Sequence, residues 1–321
     1  MDNIKVSVYC MTYNHVGLIS KCLDGFVMQK TNFNYEIWVH DDCSIDGTIE
    51  ILKEYEKKYP DLINVVYERE NQYSQGKDIS TIMKPYFRGK YIAFCEGDDC
   101  WTDPDKLQKQ FDFMEQHPEY TLCTHKVKEV ILKDGSSFEH PIELTHDDTI
   151  APGFIIRKGG GFFPTCSFFR RADVNVIPNR WGSGMCEDFN IILSSMLRGK
   201  VYYMDTCMGI KHTGYPGSWS SRNTQIEKIV NHKRAAIDSM FRFDEETKGK
   251  YHEFVEEKVL IDSYKIECEF CENYKALFTD DYISRSKKYL PKKVIMKTWI
   301  KAYFGWFYSL YRSMRHQTKE G

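Results

Sequence analysis

Residues 91–107, YIAFCEGDDCWTDPDKL, run from an apolar stretch straight into acids: Asp98, Asp99, Asp103 and Asp105 fall within eight positions. Carboxylates so close repel one another, and unless a positive charge sits among them some must stay protonated. A divalent cation is the simplest such charge. Asp103 precedes Pro104 and reads as a helix N-cap, with Asp105 as a first-turn acid facing the helix dipole, so these two need no metal. Asp98 and Asp99 have no capping role directly after an apolar strand; a solvated turn is their plain alternative. Asp41-Asp42, behind the apolar run YEIWVH, repeats the pattern.

The elements that must carry these residues follow from periodicity. IKVSVYCM (4–11), YEIWVH (35–40), INVVYE (63–68) and KYIAFC (90–95) read as short apolar strands. Between and after them, 15–29, 46–59 and 103–117 have helical period. Apolar strands alternating with helices predict an α/β fold, a mostly parallel sheet covered on both faces. Ligands of such sheets sit beyond the carboxyl ends of the strands. There the polar loops fall: TYNH (12–15), DDCSIDGT (41–48) and EGDD (96–99). Each loop also has a structural reading, with Thr12, Asn14 and Ser44 as helix caps and Asp46-Gly47 as a turn.

A chain of 321 residues, 42% hydrophobic, can bury a full core as one large domain or a domain with an appendage. A formal net charge of -2 gives no global reason for a nucleic-acid partner. The opening MDNIKVSVYC lacks the basic and then long apolar regions of a secretory signal, and the cysteines number an odd 11. The expectation is reduced thiols in a cytoplasmic protein. Cys268 and Cys271 have metal or redox spacing, but no second pair matches them, so they read as helical core.

Together, VSVYCMTYNHVGLISKCLDGFVMQK, YEIWVHDDCSIDGTIEIL and KYIAFCEGDDCWTDPDKLQKQ resemble glycosyltransferase family 2, in order and in spacing, over about residues 4–215. The resemblance implies a GT-A fold and an inverting transferase that uses a nucleotide-activated sugar. It places Thr12, Tyr13 and Asn14 at the nucleotide, Tyr13 beside the base. Asp42 would accept from the base imide N–H with Asp41 in support, and Asp98 would lie near the ribose. Asp99 would bind Mn²⁺ or Mg²⁺ bridging the two phosphates, with Asp98 and His212 as further candidate ligands. Oxygen-rich sites of one or two carboxylates, phosphates and water suit these ions. Two departures stand out. Glu96-Gly97-Asp98-Asp99 is not a strict Asp-x-Asp, and Cys43 stands where the family often has glycine.

An inverting transfer needs a carboxylate to take the acceptor hydroxyl proton. The family places its base in an acid pair such as Glu187-Asp188, at the head of an amphipathic helix; Asp188 is assigned as base and Glu187 as a neighbouring orienter or acceptor contact. The structural alternative is that both acids complement the helix N-terminus. Glu96, Thr165 and Ser167 are expected acceptor or donor-sugar contacts, Thr165 and Ser167 lying in KGGGFFPTCSFFRR (158–171). IKHTGYPGSWSSR (210–222) reads as a lid over the donor, with Arg222 as a phosphate contact.

The expected organisation is a catalytic domain over 1–222, nucleotide-sugar half 1–120 and acceptor half 121–222, then a helical region over 223–321. The end of the chain, 286–317, is basic and aromatic, interrupted by Lys297 and Lys301. It is a poor membrane span and fits a helix lying at a membrane interface, or one packed on the catalytic domain or a second subunit. Expected partners are a nucleotide-sugar donor, UDP-linked by preference, and a saccharide acceptor, lipid- or protein-linked; none is nucleic acid. Two other classes share this architecture. A nucleotidyltransferase wants a basic, glycine-rich phosphate loop, and MTYNHVG has no Lys or Arg. A non-catalytic nucleotide-sugar-binding protein has no need of the acid pair at 187–188, which this chain keeps.

Overall fold

The structure is a computed structural model, and it describes residues 3–140, 143–184, 186–215 and 225–305. The chain divides into two compact units. One comprises Met1–Ile155, Gly159–Arg180 and Cys186–Arg222; the other comprises Ile156–Lys158, Trp181–Met185 and Asn223–Gly321.

The first unit is built on one 10-stranded sheet. Its first strands and helices alternate as β1 (Ile4–Thr12), α1 (Ile19–Val27), β2 (Asn34–Asp41), α2 (Thr48–Lys58), β3 (Ile63–Tyr67), α3 (Ile79–Met83) and β4 (Tyr91–Glu96). There follow β5 (Cys100–Trp101), α4 (Lys106–Gln116), β6 (Tyr120–Ile131), β7 (Ser137–His140), β8 (Asp148–Thr149), α5 (Pro152–Lys158), β9 (Phe169–Arg171), α6 (Glu187–Arg198) and β10 (Lys200–Thr213). The order is β3-β2-β1-β4-β9-β6-β10-β5. β3, β2, β1 and β4 are mutually parallel, as are β6 and β10, while β9 runs antiparallel between β4 and β6. β1 shows why these segments are strands. Val6, Val8 and Cys10 are fully buried on one face and Ser7 and Tyr9 nearly so on the other, as a strand covered on both sides requires. The first face packs against Ile19, Leu23 and Phe26 of α1, Leu52 of α2 and Leu107 of α4.

Because the chain winds from β1 to β3 in one direction and then places β4 on the other flank of β1, the strand order reverses between β1 and β4. The carboxyl ends of strands at such a reversal form a natural ligand crevice. Helical hydrogen bonding in α4 starts at Lys106, later than expected. The N-cap position is Asp105 and not Asp103; the Asp103 carboxylate accepts the Asp105 N–H at 2.8 Å in the turn before the helix. The expected lid begins as strand instead: Ile210–Thr213 are the end of β10, and Arg222 lies outside the described residues.

The second unit is helical: α7 (Ile226–Glu246), α8 (His252–Tyr264), a π-helical turn over Lys265–Phe270, α9 (Ala276–Thr279), α10 (Asp281–Arg285) and α11 (Lys292–Tyr303). The Trp181 ring meets Phe243 edge-on and its N–H donates to Glu246 at 2.8 Å. A smaller cluster joins Tyr264, Cys268, Leu277 and Ile283. All eleven cysteines are free thiols; Cys268 is core and Cys271 is exposed. No helix among the described residues is long and apolar enough to cross a membrane.

Candidate active site

Backbone geometry brings the three polar loops together. Asp42 N–H donates to Thr12 O at 3.0 Å, and Gly97 N–H donates to Met11 O at 2.8 Å, tying the loops after β2 and β4 to the end of β1. The first two loops then bond side chain to backbone. Asn14 N–H donates to Ser44 Oγ, Ile45 N–H to Asn14 Oδ1, His15 N–H to Thr48 Oγ1 and Val16 N–H to Asp46 Oδ2, all at 2.8–3.0 Å. Asn14 and Cys43 take positive φ of 57° and 67°. That explains why glycine suits position 43, which an L-residue occupies only with strain. Gly97 is required by close approach: a Cβ there would lie 2.7 Å from Thr12 Oγ1 and 2.9 Å from His15 Nδ1.

Asp98 and Asp99 sit on the turn between β4 and β5. β5 pairs antiparallel with β10, Cys100 opposite Ile210. Continuing that register brings His212 to Asp98 and Asp99, where its N–H donates to Asp99 Oδ1 at 2.9 Å and its Nδ1 bonds the Asp98 carbonyl at 2.6 Å. A carbonyl only accepts, so in the neutral ring Nδ1 holds the proton and Nε2 presents its lone pair. Asp98 and Asp99 are 8% and 5% exposed, and Asp98 Oδ1 is buried without a hydrogen-bond partner. Burial, then repulsion from Asp98, raises the Asp99 carboxyl to about 8. His15, which the sequence reading passed over, lies with Nε2 4.0 Å from Asp98 Oδ2.

Asp188 enters from α6. Its Oδ1 accepts the Phe189 N–H at 2.8 Å and its Oδ2 the Gly161 N–H at 2.5 Å. The glycine run thus holds the acid, and a Cβ on Gly160 would fall 2.0 Å from Cys186 Sγ. Glu187 turns elsewhere. With Tyr9 and Arg170 it lines a cavity of about 180 Å³ on the sheet face opposite α1. Burial, and then Asp78, raises its carboxyl to about 7. Glu96 reports how tightly the acids gather. Burial, and then Asp98, Asp99, Asp188 and Glu187, hold it well above the usual carboxylate range.

The remaining predicted residues are distributed unevenly. Thr12 is buried, its hydroxyl 3.2 Å from His15 Nδ1, and Tyr13 is half-buried. Asp41 is fully buried, raised by burial, with Oδ2 on the Ser44 N–H and Oδ1 unpartnered. Asp42 accepts the Gln72 N–H at 2.6 Å and the Tyr73 N–H at 3.1 Å, stapling that loop to the rim. Each of its oxygens keeps a second acceptor position. Thr165 donates to Glu96 at 3.4 Å. Ser167 faces the interior, fully buried, bonded to Pro164 O and Thr124.

The fold is of the GT-A class. It aligns with the crystal structure of S. aureus TarS 1-349 in complex with UDP-GlcNAc at a TM-score of 0.59 and 18% identity, over 88% of this chain and 78% of that one. The sequence profile of glycosyl transferase family 2 matches residues 7–177, and the chain belongs to that family. An uncharacterized protein of Mycobacterium tuberculosis is 32% identical over 229 residues, 70% of this chain. TuaG of Bacillus subtilis, named as a teichuronic acid biosynthesis glycosyltransferase, is 33% identical over 150 residues, 45% of this chain. The match spans 63% of the length of the first relative and 56% of the second.

Proposed function

We propose that the chain transfers a sugar, with inversion, from a nucleoside-diphosphate sugar to a saccharide hydroxyl. One observation carries the reading: at the carboxyl end of β4, where the strand order reverses, the adjacent Asp98 and Asp99 are nearly buried beside His212, and Asp98 Oδ1 has no hydrogen-bond partner. Two adjacent buried carboxylates favour a cationic guest.

Among the described residues no three His, Cys, Asp or Glu side chains are grouped to hold a metal by themselves. The donor set nonetheless fits Mg²⁺ or Mn²⁺ shared with a diphosphate, since one or two protein carboxylates suffice there. Asp98 Oδ1 is buried without a hydrogen-bond partner. Asp99 would supply the other carboxylate, and His212 Nε2 a nitrogen. When bound, the cation offsets the charge growing on the departing diphosphate.

The chain's own residues do the rest. Tyr13 and Asn14 border the nucleotide, with Asp41 and Asp42 fixing the loop under the base. Asp188 accepts the acceptor's hydroxyl proton as that oxygen bonds to the anomeric carbon. The bond from that carbon to the diphosphate oxygen breaks, and the nucleoside diphosphate leaves with the electron pair. The two N–H groups on Asp188 aim its remaining lone pairs. Glu187, beside Asp188 at the start of α6, lines the neighbouring cavity and is the candidate orienter of the base. UDP is the favoured nucleotide because TarS, of the same fold, was crystallised with UDP-GlcNAc.

The test is a panel of nucleotide sugars with Mn²⁺ or Mg²⁺, scored for donor hydrolysis, followed by Asp188→Asn. Turnover is expected to fall about 10²–10⁴-fold, the usual worth of a general base, with donor-binding isotherms unchanged. Undiminished turnover would remove Asp188 from the role.

A further inference from the structure

We propose that the outward face of α11 docks on an anionic lipid surface. Met296, Trp299, Ile300 and Tyr303 fall at the i, i+3, i+4, i+7 spacing of one helical stripe. In a helix packed by its apolar side this stripe would be buried. Here Met296 is 60% exposed, Trp299 45% and Tyr303 48%, with Phe304 at the helix end 43% exposed. The inward side carries the polar residue instead. Thr298 is 4% exposed and bonds the Tyr264 hydroxyl at 2.9 Å, beside Val294 on the small core of the second unit. The helix is therefore turned with its aromatic side out.

The charge around the stripe selects the occupant. Lys292, Lys293 and Lys297 are exposed, and no acid occurs from 286 to 303, although the whole chain has a net charge of -2. Local basicity on an overall acidic chain complements an anionic surface. A second copy fits poorly, because a two-fold contact through this face would bring the same lysines against one another. Tryptophan and tyrosine settle at the boundary between headgroups and acyl chains, and lysine stems lie along apolar surface with their charges in water. A helix of this kind lies on a bilayer without crossing it.

The experiment uses the full chain, pelleted with phosphatidylcholine vesicles with and without phosphatidylglycerol. Binding is expected only with phosphatidylglycerol, and is expected to fall as salt rises. Replacing Lys292, Lys293 and Lys297 by Gln is expected to weaken it about fivefold per lysine. Met296→Asp with Trp299→Asp is expected to abolish it, with the fold checked by an unchanged far-ultraviolet circular dichroism spectrum. Sedimentation velocity runs alongside. Wild-type protein that ignores phosphatidylglycerol, variants that bind equally well, or a dimer that Trp299→Asp dissolves would each overturn the proposal. None of these readouts involves sugar transfer, so the proposed activity stands or falls separately.

Discussion

At the scale of single residues, the candidate base depends on two glycines that do no chemistry. Gly161 has φ +77° and gives its N–H to Asp188, while Gly160 passes so close to α6 that a Cβ would meet Cys186 Sγ at 2.0 Å and Phe189 Cβ at 3.0 Å. Gly160→Ala must therefore push the head of α6 or rotate the Cys186 thiol. Displacement of a reacting group by about 1 Å can cost 10²-fold in rate. A loss of up to that size in kcat is expected, with donor affinity retained, because the nucleotide loops lie elsewhere. Adding Cys186→Ala removes the closest atom and is expected to restore part of the rate. Steady-state kinetics on the two variants checks this, and no rescue would mean that the defect arises at Phe189. The Asp pairs were legible because type and adjacency alone made them odd. The anchoring of Asp188 by Gly161 was not, since it joins residues 27 apart through a backbone N–H that every residue possesses.

Among the elements, α4 carries a fully buried lysine. Lys106 is 0% exposed, with Nζ 4.0 Å from the Trp101 ring centroid and bonded to Gln110 Oε1 at 2.7 Å. Burial lowers its pKa from 10.5 to about 8. The native state thus releases this proton near pH 8, whereas the unfolded chain keeps it to pH 10.5. In that window the unfolded state binds more protons, so Lys106 contributes stability that rises with pH, by at most about 1.4 kcal/mol per unit. Buried thiols oppose it at higher pH: Cys95 and Cys123 are raised by burial to about 12, so the native state holds more protons than the unfolded chain above 9. Cys22, Cys100, Cys166, Cys186 and Cys268 are raised by burial as well, and unfolded thiols begin to ionise below pH 9, so the lysine acts against a falling background. Between pH 8 and 9, urea unfolding of Lys106→Met is expected to lose stability with pH more steeply than that of the native sequence. An unchanged slope in the variant would mean that Lys106 does not carry the effect. The alternation of strands and helices up to α4 was readable from apolar period. The antiparallel β9, inserted between β4 and β6, was not, because its three residues carry no periodic signal of their own.

Across the whole molecule, the first unit holds every candidate contact to the donor, and ligand binding should register as its stability. A nucleotide sugar at a hundred times its Kd raises the unfolding free energy by about 2.7 kcal/mol. The expected result in scanning calorimetry is a larger upward shift with nucleotide and Mn²⁺ together than with either alone, since the cation offsets the repulsion between the rim carboxylates and the anionic diphosphate. An equal shift without any cation would show that the rim holds the donor unaided. The second unit draws in the short segments Ile156–Lys158 and Trp181–Met185 from within the catalytic stretch of sequence. A linear boundary near residue 222 could not reveal them. At Gly184 a Cβ would lie 2.1 Å from the Ala235 carbonyl carbon, so that segment is pressed directly onto α7.

The amino-acid order by itself determined the strand-helix alternation, the loops at which acids end strands, and the membership of a nucleotide-sugar transferase family. Those features are local, written in apolar period and in residue type at short spacing. Only the tertiary structure decided which distant groups meet. The register of β5 on β10 brings His212 to Asp98 and Asp99, the glycine run holds Asp188, Ser167 turns into the core, and α11 faces outward. Such meetings follow from how whole elements pack, and packing free energy is shared among many residues, so no short stretch of sequence announces it.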